Sequence, residues 1–400
     1  MKDLSGKSVL LGVTGSIAAF KAAALASALV KEGAKVHVVM TRHAMQFIAP
    51  MTFEELCATT CVIDNFEPNY GERVSHLTLA READLAIIAP CTANVLAKLA
   101  HGIADDMLTT TMLPFKKVKL LAPAMNTDMY ENAVVQDNLA KLESYGYKMI
   151  EPTVGLLACR TVGRGKMAEP SVLLAAIKRE IAREKTLSGR KVLLTAGATR
   201  EALDPVRFFS NPSTGKMGMA LAWEGVMRGA EVVAVTGDMR VDVPEFVRQR
   251  KVETAAQMLE ACLEEAADAD DIIMTAAVSD FRPKQSSAHK IKKSDNALSV
   301  EFERTEDILA KLASSRPKPQ RICGFAMETE NLVQNAELKF KRKNLDMLVA
   351  NPLDDESSGF AHDTNLGTII TKSGLESLPL MSKSSLAREI WDRFERLTAT

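Results

Sequence analysis

The chain has 400 residues, of which 46% are hydrophobic and 25% are charged, and its formal net charge is −1. This length exceeds what one hydrophobic core usually organises, and it therefore favours two domains. The balanced charge argues against a general polyanion binder, because nucleic-acid affinity depends on an excess of basic residues. The apolar runs are too short for a membrane span or a signal peptide, and the six cysteines form no CxxC pair. We therefore expect a reduced, cytoplasmic protein without a structural zinc site.

The first half begins with an apolar strand that runs into a turn at Gly15 and Ser16. After this turn, the sequence pattern predicts a helix over 18–31 and strands over 36–40, 84–89 and 118–121. These strand segments are continuously apolar rather than alternating, which is typical of parallel strands that are buried on both faces.

The second half repeats this opening, because residues 187–194 resemble residues 4–11. The repeat is followed by a predicted helix over 217–228 and predicted strands over 232–235 and 271–276. A charged helix end that meets Ser-Gly indicates a domain boundary near 181–188. Strands that alternate with helices in both halves predict an α/β fold with two doubly wound, mostly parallel sheets of the Rossmann-like or flavodoxin-like kind. The predicted domains are 1–186 and 187–400.

Ligands of such sheets bind beyond the carboxyl ends of the strands. In the first half this rule selects four segments: Gly15-Ser16-Ile17, Thr41, residues 89–94 and the loop after residue 121. Backbone N–H groups and a hydroxyl at a helix start can bind phosphate, although a plain strand-to-helix turn is the simpler interpretation of Gly-Ser alone. Neither first strand is followed by GxGxxG, which argues against an NAD(P)-dependent oxidoreductase.

Three polar residues of the first half are candidates for chemistry. Asn126 follows a strand, where its amide can bind a carboxylate or cap the next helix, and the sequence leaves both roles open. His76 is isolated, and an isolated histidine is more often a surface residue than a catalytic one. Cys159 lies in a Gly-rich, basic segment over 153–167, which we expect to be a mobile loop outside the core. A thiol in such a loop is suited to proton transfer or thiol chemistry. The alternative is a loop cysteine without a function.

Together these motifs carry a specific resemblance. The first half resembles the flavin-dependent cysteine decarboxylases in its Gly-Ser-Ile turn, the loop over 90–94, Gly-Ile-Ala-Asp-Asp at 102–106, His76, Pro-Ala-Met-Asn-Thr-Asp-Met-Tyr at 123–130, and Ala158-Cys159. The second half resembles phosphopantothenate–cysteine ligases at 195–201, 210–218, 290–293 and 339–344. In order, these motifs resemble the bacterial bifunctional phosphopantothenoylcysteine decarboxylase/phosphopantothenate–cysteine ligases of coenzyme A biosynthesis over nearly the whole chain. Cys91 and Thr214 depart from the family pattern, but neither change removes a reactive group.

The resemblance implies that domain 1–186 binds FMN and decarboxylates 4′-phosphopantothenoylcysteine to 4′-phosphopantetheine. Direct loss of CO₂ would leave a carbanion without an electron sink, whereas prior oxidation of the thiol by a flavin supplies one. His76 is implied as the base, Asn126 as the residue that holds the substrate carboxylate, and Cys159 as the proton donor to the enethiol. The implied FMN contacts are Gly15, Ser16, Ile17, Thr41, Pro90, Thr92, Ala93 and Asn94.

For domain 187–400 the resemblance implies ligation of L-cysteine to 4′-phosphopantothenate with CTP and Mg²⁺, through an acyl-CMP intermediate. Lys290 is implied to stabilise formation of this intermediate, Asn211 to promote its use, and Asp280 to contact a cation or the ribose. The implied CTP-binding residues are Met274, Thr275, Ala276, Asp280, Lys290, Glu306, Asp307, Ile308, Leu309, Phe325, Lys339 and Lys343. On charge alone these lysines would be a solvated face.

The resemblance further implies a large homo-oligomer, with trimeric flavin domains and dimeric ligase domains, and no nucleic-acid or membrane partner. Two alternative functions would also use a flavin cofactor. A non-catalytic flavoprotein that binds a partner is disfavoured because His76, Asn126 and Cys159 are all present. A decarboxylase that acts on the C-terminal cysteine of a peptide is disfavoured by the ligase-like second half.

Overall fold

We analysed a computed structural model, which describes residues 2–64, 76–292, 298–328, 332–352 and 362–398. The chain divides into two compact units, Met1–Arg183 and Glu184–Thr400. Each unit has its own sheet and its own apolar core. None of the helices among the described residues has the length and apolar character needed to cross a bilayer.

The first unit alternates strands with helices. Its strands are β1 (Ser8–Val13), β2 (Lys35–Met40), β3 (Leu85–Cys91), β4 (Val118–Pro123), β5 (Tyr147–Met149), β6 (Thr153–Leu156) and β7 (Val162–Lys166). Its α-helices are α1 (Ala19–Lys31), α2 (Pro50–Cys57), α3 (His76–Glu82), α4 (Ala93–His101), α5 (Met107–Met112), α6 (Thr127–Glu131), α7 (Ala133–Ser144) and α8 (Pro170–Ile181). Strands β6 and β7 form a separate antiparallel hairpin.

A five-stranded sheet in the order β2-β1-β3-β4-β5 is parallel throughout. Every residue of β3 is buried, because this central strand is covered on both faces. The strand order reverses between β1 and β3, and this reversal creates the crevice in which ligands of open α/β sheets bind. The predicted parallel α/β fold of this half is confirmed.

The second unit contains a larger, mixed sheet. Its strands are β8 (Lys191–Ala196), β9 (Arg200–Ala202), β10 (Phe208–Ser210), β11 (Glu231–Thr236), β12 (Val247–Lys251), β13 (Asp271–Met274), β14 (Phe281–Pro283), β15 (Phe302–Arg304), β16 (Arg321–Glu328), β17 (Met347–Pro352), β18 (Thr364–Thr371) and β19 (Gly374–Ser382). Its helices are α9 (Lys216–Met227), α10 (Ala255–Ala266), α11 (Ile308–Ser314), α12 (Leu332–Arg342) and α13 (Lys383–Phe394).

Eight of these strands form one sheet in the order β12-β11-β8-β13-β16-β17-β18-β19. The first six run parallel, as the sequence predicts, whereas β18 and β19 are antiparallel additions that the sequence analysis missed. Helices α9 and α13 pack together against this sheet. The fully buried Trp391 of α13 donates its indole N–H to the carbonyl of Leu221 in α9 at 3.0 Å, so the polar atom of this large side chain is satisfied.

A buried charge cluster joins β13 to β16. The Asp271 side chain is 0% exposed and accepts hydrogen bonds from two guanidinium groups. Arg321 donates through Nε at 2.6 Å and through Nη2 at 2.9 Å, and Arg190 donates through Nε at 2.7 Å. Since removing one partner of such a cluster leaves a buried charge uncompensated, this carboxylate is important for the stability of the unit.

Candidate functional sites

The first unit has a cavity of about 1190 Å³ at the carboxyl edge of its parallel sheet. The structure brings nearly all of the sequence-predicted FMN contacts to this cavity, where the lining includes Gly15, Ser16, Ile17, Thr41, Thr92, Ala93 and Asn94. Pro90 is the exception, since it lies within buried β3 and is not among the lining residues. Its carbonyl accepts a hydrogen bond from Thr14 Oγ1 at 2.7 Å, so Pro90 helps to hold β1 against β3.

Two helix starts face this cavity, and both are suited to an anion. At the start of α1, Gly15 has no room for a side chain, because a Cβ would lie 2.6 Å from His43 Cβ. The Ser16 hydroxyl accepts from the backbone N–H of Ala18 at 3.3 Å. At the start of α4, Thr92 Oγ1 accepts from Val95 N at 3.4 Å. The positive ends of the two helix dipoles make this edge suitable for a phosphate group.

Asn126 lies in the lining of the cavity and also caps a helix. Its Oδ1 accepts a hydrogen bond from Met129 N at 2.9 Å. The structure therefore contains the capping role that the sequence left open. This bond uses the amide oxygen, so the side-chain NH₂ is the group suited to donate to a substrate carboxylate.

Cys159 also lines the cavity, at the tip of the β6–β7 hairpin. The expectation of a loop over 153–167 was wrong, because the two ends of this segment pair as antiparallel strands, for example Val154 with Arg164. Most of the segment lies outside the core, as expected, since the side chains of Val154 and Val162 are more than two-thirds exposed, but Met167 at its end is buried. Cys159 Sγ lies 3.0 Å from Thr161 Oγ1, and this hydrogen bond lowers the pKa of the thiol.

His76 is not among the lining residues of this cavity. It is the first residue of α3, which buries Leu79 and Ala80 and packs against α5. Residues 65–75, which precede it, lie outside the described residues. The described part of the unit therefore brings Asn126 and Cys159 to one cavity and leaves His76 elsewhere.

Lys98 belongs to the polar segment that follows residues 90–94, which the sequence predicts to lie at the ligand-binding edge, and it lines this cavity. Its Nζ donates to Asp105 at 2.7 Å and to Asp106 at 3.2 Å. The adjacent residues Asp105 and Asp106 in the motif at 102–106 indicate a nearby cationic side chain, because two neighbouring carboxylates are stabilised by an ion pair with a cation.

The second unit has a cavity of about 650 Å³. It gathers most of the residues implied for the ligase: Asn211, Met274, Thr275, Ala276, Asp280, Glu306, Asp307, Ile308, Leu309, Phe325, Lys339 and Lys343. Lys290 is the exception, since it is exposed in the segment between β14 and β15 and is not among the lining residues. Residue 293 of the same basic motif lies outside the described residues.

Asn211 is oriented by two backbone carbonyls that follow β13. Its Nδ2 donates to the carbonyl of Ala277 at 3.3 Å and to that of Val278 at 3.2 Å. These bonds use the donor hydrogens of the amide, so Oδ1 is the atom suited to accept a hydrogen bond from a ligand.

The lysines near α12 do not form a solvated face. Lys339 Nζ donates to the carbonyl of Phe325 at 3.0 Å. The Lys343 side chain is 10% exposed and pairs with Asp307 at 2.7 Å. Asp307 caps α11 by accepting from Ala310 N at 3.0 Å. Burial disfavours its carboxylate, but the hydrogen bonds from Lys343 and Ala310 outweigh this effect and lower the pKa of Asp307.

Asp280 is exposed at the cavity. No group of three or more His, Cys, Asp or Glu side chains is arranged to bind a metal ion within the part of the chain that the structure describes. A magnesium ion that arrives with a nucleotide needs only one or two protein carboxylates besides the phosphates. Asp280 is compatible with that kind of site, and its metal role stays a prediction.

Three further polar residues in the lining were missed by the sequence analysis: Asn351, Asn365 and Lys383. They come from β17, β18 and α13. The antiparallel strand β18 shows no clear sequence pattern, and the proximity of these residues depends on it. Lys216, which belongs to the motif at 210–218, lies in the same lining.

Taken together, the two units define a protein with a flavodoxin-like sheet and a cavity beside two helix starts in its first half, and a mixed α/β sheet with a lysine-lined cavity in its second. Residues 1–182 match the family model described as "Flavoprotein", and residues 187–397 match "DNA/pantothenate metabolism flavoprotein C-terminal domain".

The chain is 44% identical over 402 aligned residues to the "Coenzyme A biosynthesis bifunctional protein CoaBC" of Bacillus subtilis (strain 168), covering 99% of this chain and 98% of that protein. It is 41% identical to a "Cysteine/Cysteine sulfinic acid decarboxylase" of an unknown prokaryotic organism, covering 86% of this chain and 97% of that one. A crystal structure of the C-terminal domain of a CoaBC protein is 41% identical and covers 53% of this chain and 97% of its own, with a TM-score of 0.46. The chain belongs to the family of coenzyme A biosynthesis bifunctional proteins.

Proposed function

We propose that this protein catalyses two consecutive steps of coenzyme A biosynthesis on small-molecule substrates. Its second domain, 187–400, joins L-cysteine to 4′-phosphopantothenate at the expense of CTP, through an acyl-CMP intermediate. Its first domain, 1–186, then decarboxylates 4′-phosphopantothenoylcysteine to 4′-phosphopantetheine with FMN. The observation that carries this proposal is the 44% identity to a bifunctional protein over 99% of the chain.

The first cavity fits FMN. The backbone at Gly15 and the starts of α1 and α4 suit the phosphate of the cofactor, and Ser16, Thr92 and Asn94 supply polar side chains beside it. When bound, FMN supplies reversible two-electron chemistry at the substrate thiol, which creates the electron sink that loss of CO₂ requires. The volume of about 1190 Å³ also leaves room for a substrate next to the cofactor.

The residues of this chain would then hold and protonate the substrate. The Asn126 NH₂ group donates to the carboxylate that is lost, and so fixes its orientation. Cys159 supports proton transfer to the enethiol, because its lowered pKa makes the thiol a better acid near neutral pH. The hairpin that carries Cys159 places this thiol at the cavity on an exposed, adjustable segment.

We propose that His76 acts in the cavity of a neighbouring copy, as the base for thiol oxidation. Two observations support this arrangement. His76 is not among the residues that line the cavity of its own unit. In addition, Ile17 and Phe20 at that cavity are 60% and 63% exposed, and apolar side chains of this size are commonly covered in an oligomer. As the family resemblance implies, we further propose a homo-oligomer with trimeric flavin domains and dimeric ligase domains, located in the cytoplasm.

In the second cavity, the carboxylate of 4′-phosphopantothenate attacks the α-phosphorus of CTP and releases pyrophosphate. The amine of L-cysteine then attacks the acyl carbon, and CMP leaves. We propose that Asp280 contacts the magnesium ion of the nucleotide, that Lys290 stabilises the first transition state, and that Asn211 promotes the second step. Lys290 lies in an exposed segment, so this role requires that segment to approach the bound nucleotide.

The identity to a cysteine decarboxylase defines a second candidate, the direct decarboxylation of free cysteine. Incubation of the purified protein with phosphopantothenate, cysteine, CTP and Mg²⁺ separates the two functions. The proposed function predicts pyrophosphate and 4′-phosphopantetheine, and it predicts no CO₂ when phosphopantothenate or CTP is left out. Release of CO₂ from cysteine alone would favour the second candidate.

A further inference from the structure

Asp204 is a buried acidic residue in the turn between β9 and β10, and it is not among the residues that line the second cavity. The residue is 3% exposed. One of its carboxylate oxygens accepts the backbone N–H groups of Val206 and Arg207, each at 2.7 Å. This is the hydrogen-bonding pattern by which an aspartate before a proline, here Pro205, closes a turn.

The second oxygen of this carboxylate bonds to a distant part of the chain. It accepts the backbone N–H of Ile291, 87 positions further along the sequence, at 3.2 Å. Arg207 donates to the same oxygen through Nη1 at 3.3 Å and to the carbonyl of Ile291 through Nη2 at 3.3 Å. Both polar groups of the Ile291 main chain are therefore bound to the β9–β10 turn.

A second attachment lies four residues earlier in the same segment. The backbone N–H of Ser287 donates to the carbonyl of Leu203, the neighbour of Asp204, at 2.9 Å. The Ser287 hydroxyl donates to the carbonyl of His289 at 2.6 Å, within the segment. The chain between β14 and β15 is thus attached to the β9–β10 turn at two points.

The contacts of Asp204 require an ionised carboxylate. Its two oxygens accept four hydrogen bonds, and only a deprotonated carboxyl group accepts on both oxygens without donating. Burial disfavours the charged form, but the backbone hydrogen bonds from Val206, Arg207 and Ile291 outweigh this effect and lower the pKa of Asp204. The group is therefore an acceptor at neutral pH.

The β9–β10 turn is also connected directly to the cavity. Strand β10 ends at Ser210, and the next residue, Asn211, is in the lining of the cavity. At the other end of the bond from Asp204, Ile291 directly follows Lys290. Asp204 therefore joins the main chain beside Lys290 to the hairpin that leads into Asn211.

We propose that Asp204 is a positioning residue for Lys290, which it keeps at a defined place relative to Asn211 by holding the main chain of Ile291. This inference rests on the proposed function. Lys290 is exposed and outside the lining of the cavity, so its ammonium group reaches a bound nucleotide only from the place where its backbone is held. An anchor at the next residue restricts the positions of Lys290 before acyl-CMP forms, and less conformational freedom is then lost in the transition state.

The test variant is Asp204→Asn in the full-length protein loaded with FMN. An asparagine has one acceptor oxygen and one NH₂ donor, and the turn uses the acceptor for two N–H groups at 2.7 Å. The NH₂ group then faces the N–H of Ile291, and two donors form no hydrogen bond. The substitution therefore keeps the turn and releases Ile291.

Two measurements follow this release. Hydrogen–deuterium exchange resolved at the Ile291 amide should be slow in the wild-type protein and fast in the variant, because a hydrogen-bonded amide exchanges only after the bond opens. Rapid quenching with labelled CTP and 4′-phosphopantothenate gives kcat for acyl-CMP formation, which should fall by about ten- to a hundredfold, since a small misplacement of an active group has an effect of this size. The KM for CTP should stay unchanged, whereas a general loss of structure would raise KM and lower the urea midpoint.

The matched control is Asp268→Asn, which removes a carboxylate that is 82% exposed in the same unit and should change none of these quantities. If Asp204→Asn fails to fold, Asp204→Ser provides the same test, because a serine hydroxyl can also close the turn but is too short to hold Ile291. Unchanged exchange at Ile291 or an unchanged kcat in the variant would overturn the positioning role. Normal acyl-CMP formation in Lys290→Gln would instead refute the role of Lys290 in the proposed function, so the two failures are distinguishable.

Discussion

Complementation between two inactive variants tests whether His76 serves the cavity of a neighbouring copy. His76→Asn and Cys159→Ala are each expected to bind FMN and to form no 4′-phosphopantetheine. In an oligomer assembled at random from equal amounts of both chains, about one quarter of the cavities combine an intact Cys159 with an intact neighbouring His76. We therefore expect about one quarter of the wild-type rate per flavin after co-expression.

The assay follows 4′-phosphopantetheine by mass spectrometry, with the flavin absorbance as the measure of site concentration. A measurement of CO₂ release alone would not report the complete reaction, because the Cys159→Ala substitution is expected to block a step that follows CO₂ release. The control pairs each variant chain with itself, which must stay inactive. If the co-expressed oligomer is also inactive although both chains are present, the two residues act within one chain, and the shared-site arrangement is wrong. Full activity of His76→Asn alone would remove this histidine from the mechanism.

Three further predictions have defined outcomes. Cys159→Ala alone should accumulate the enethiol, which is detectable as a product two mass units below 4′-phosphopantetheine, because no acid returns the proton; an unchanged product profile would contradict its role. With labelled CTP, the Lys290→Gln variant should form no acyl-CMP, whereas the Asn211→Asp variant should form acyl-CMP and not convert it. Equal turnover in both variants would refute the separate roles proposed for Lys290 and Asn211. Asp271→Asn should destabilise the second unit by about 3–5 kcal/mol, because two arginines lose a buried carboxylate. The exposed Asp268→Asn is its control in urea denaturation, where similar midpoints for both variants would contradict the importance of the cluster.

The parallel strands could be predicted from the sequence because burial on both faces leaves a continuous apolar signal. Residues 84–89 and 118–121 were predicted as strands, and the structure has strands at Leu85–Cys91 and Val118–Pro123. The helix starts that carry Ser16 and Thr92 follow such strands directly, so the chain order alone placed them at the cavity.

The hairpin over β6 and β7 could not be predicted in the same way. Its strands are mostly exposed and carry glycines, so they have neither a continuous apolar run nor a regular alternation. Their pairing depends on contacts outside the segment: Met125 N donates to the carbonyl of Gly165 at 3.1 Å, and this bond anchors the hairpin beside Asn126. The chemical role of Cys159 stays a prediction from the sequence, whereas the backbone that positions this residue is a tertiary effect.

Lys383 is the residue for which tertiary structure changes the interpretation most. In the sequence, Lys383 is one cation in a polar stretch before an amphipathic helix, and a solvated position is the expected outcome for such a residue. In the structure, β18 runs antiparallel to β17, so the segment before β18 and the start of α13 both reach the carboxyl end of β17. Asn351 ends up beside Lys383 at one cavity because of this reversal of direction. A parallel strand at this position would begin at the opposite edge of the sheet, far from the cavity. The antiparallel end of the sheet therefore explains how a C-terminal helix can supply a charge to a site that is otherwise built from the parallel strands.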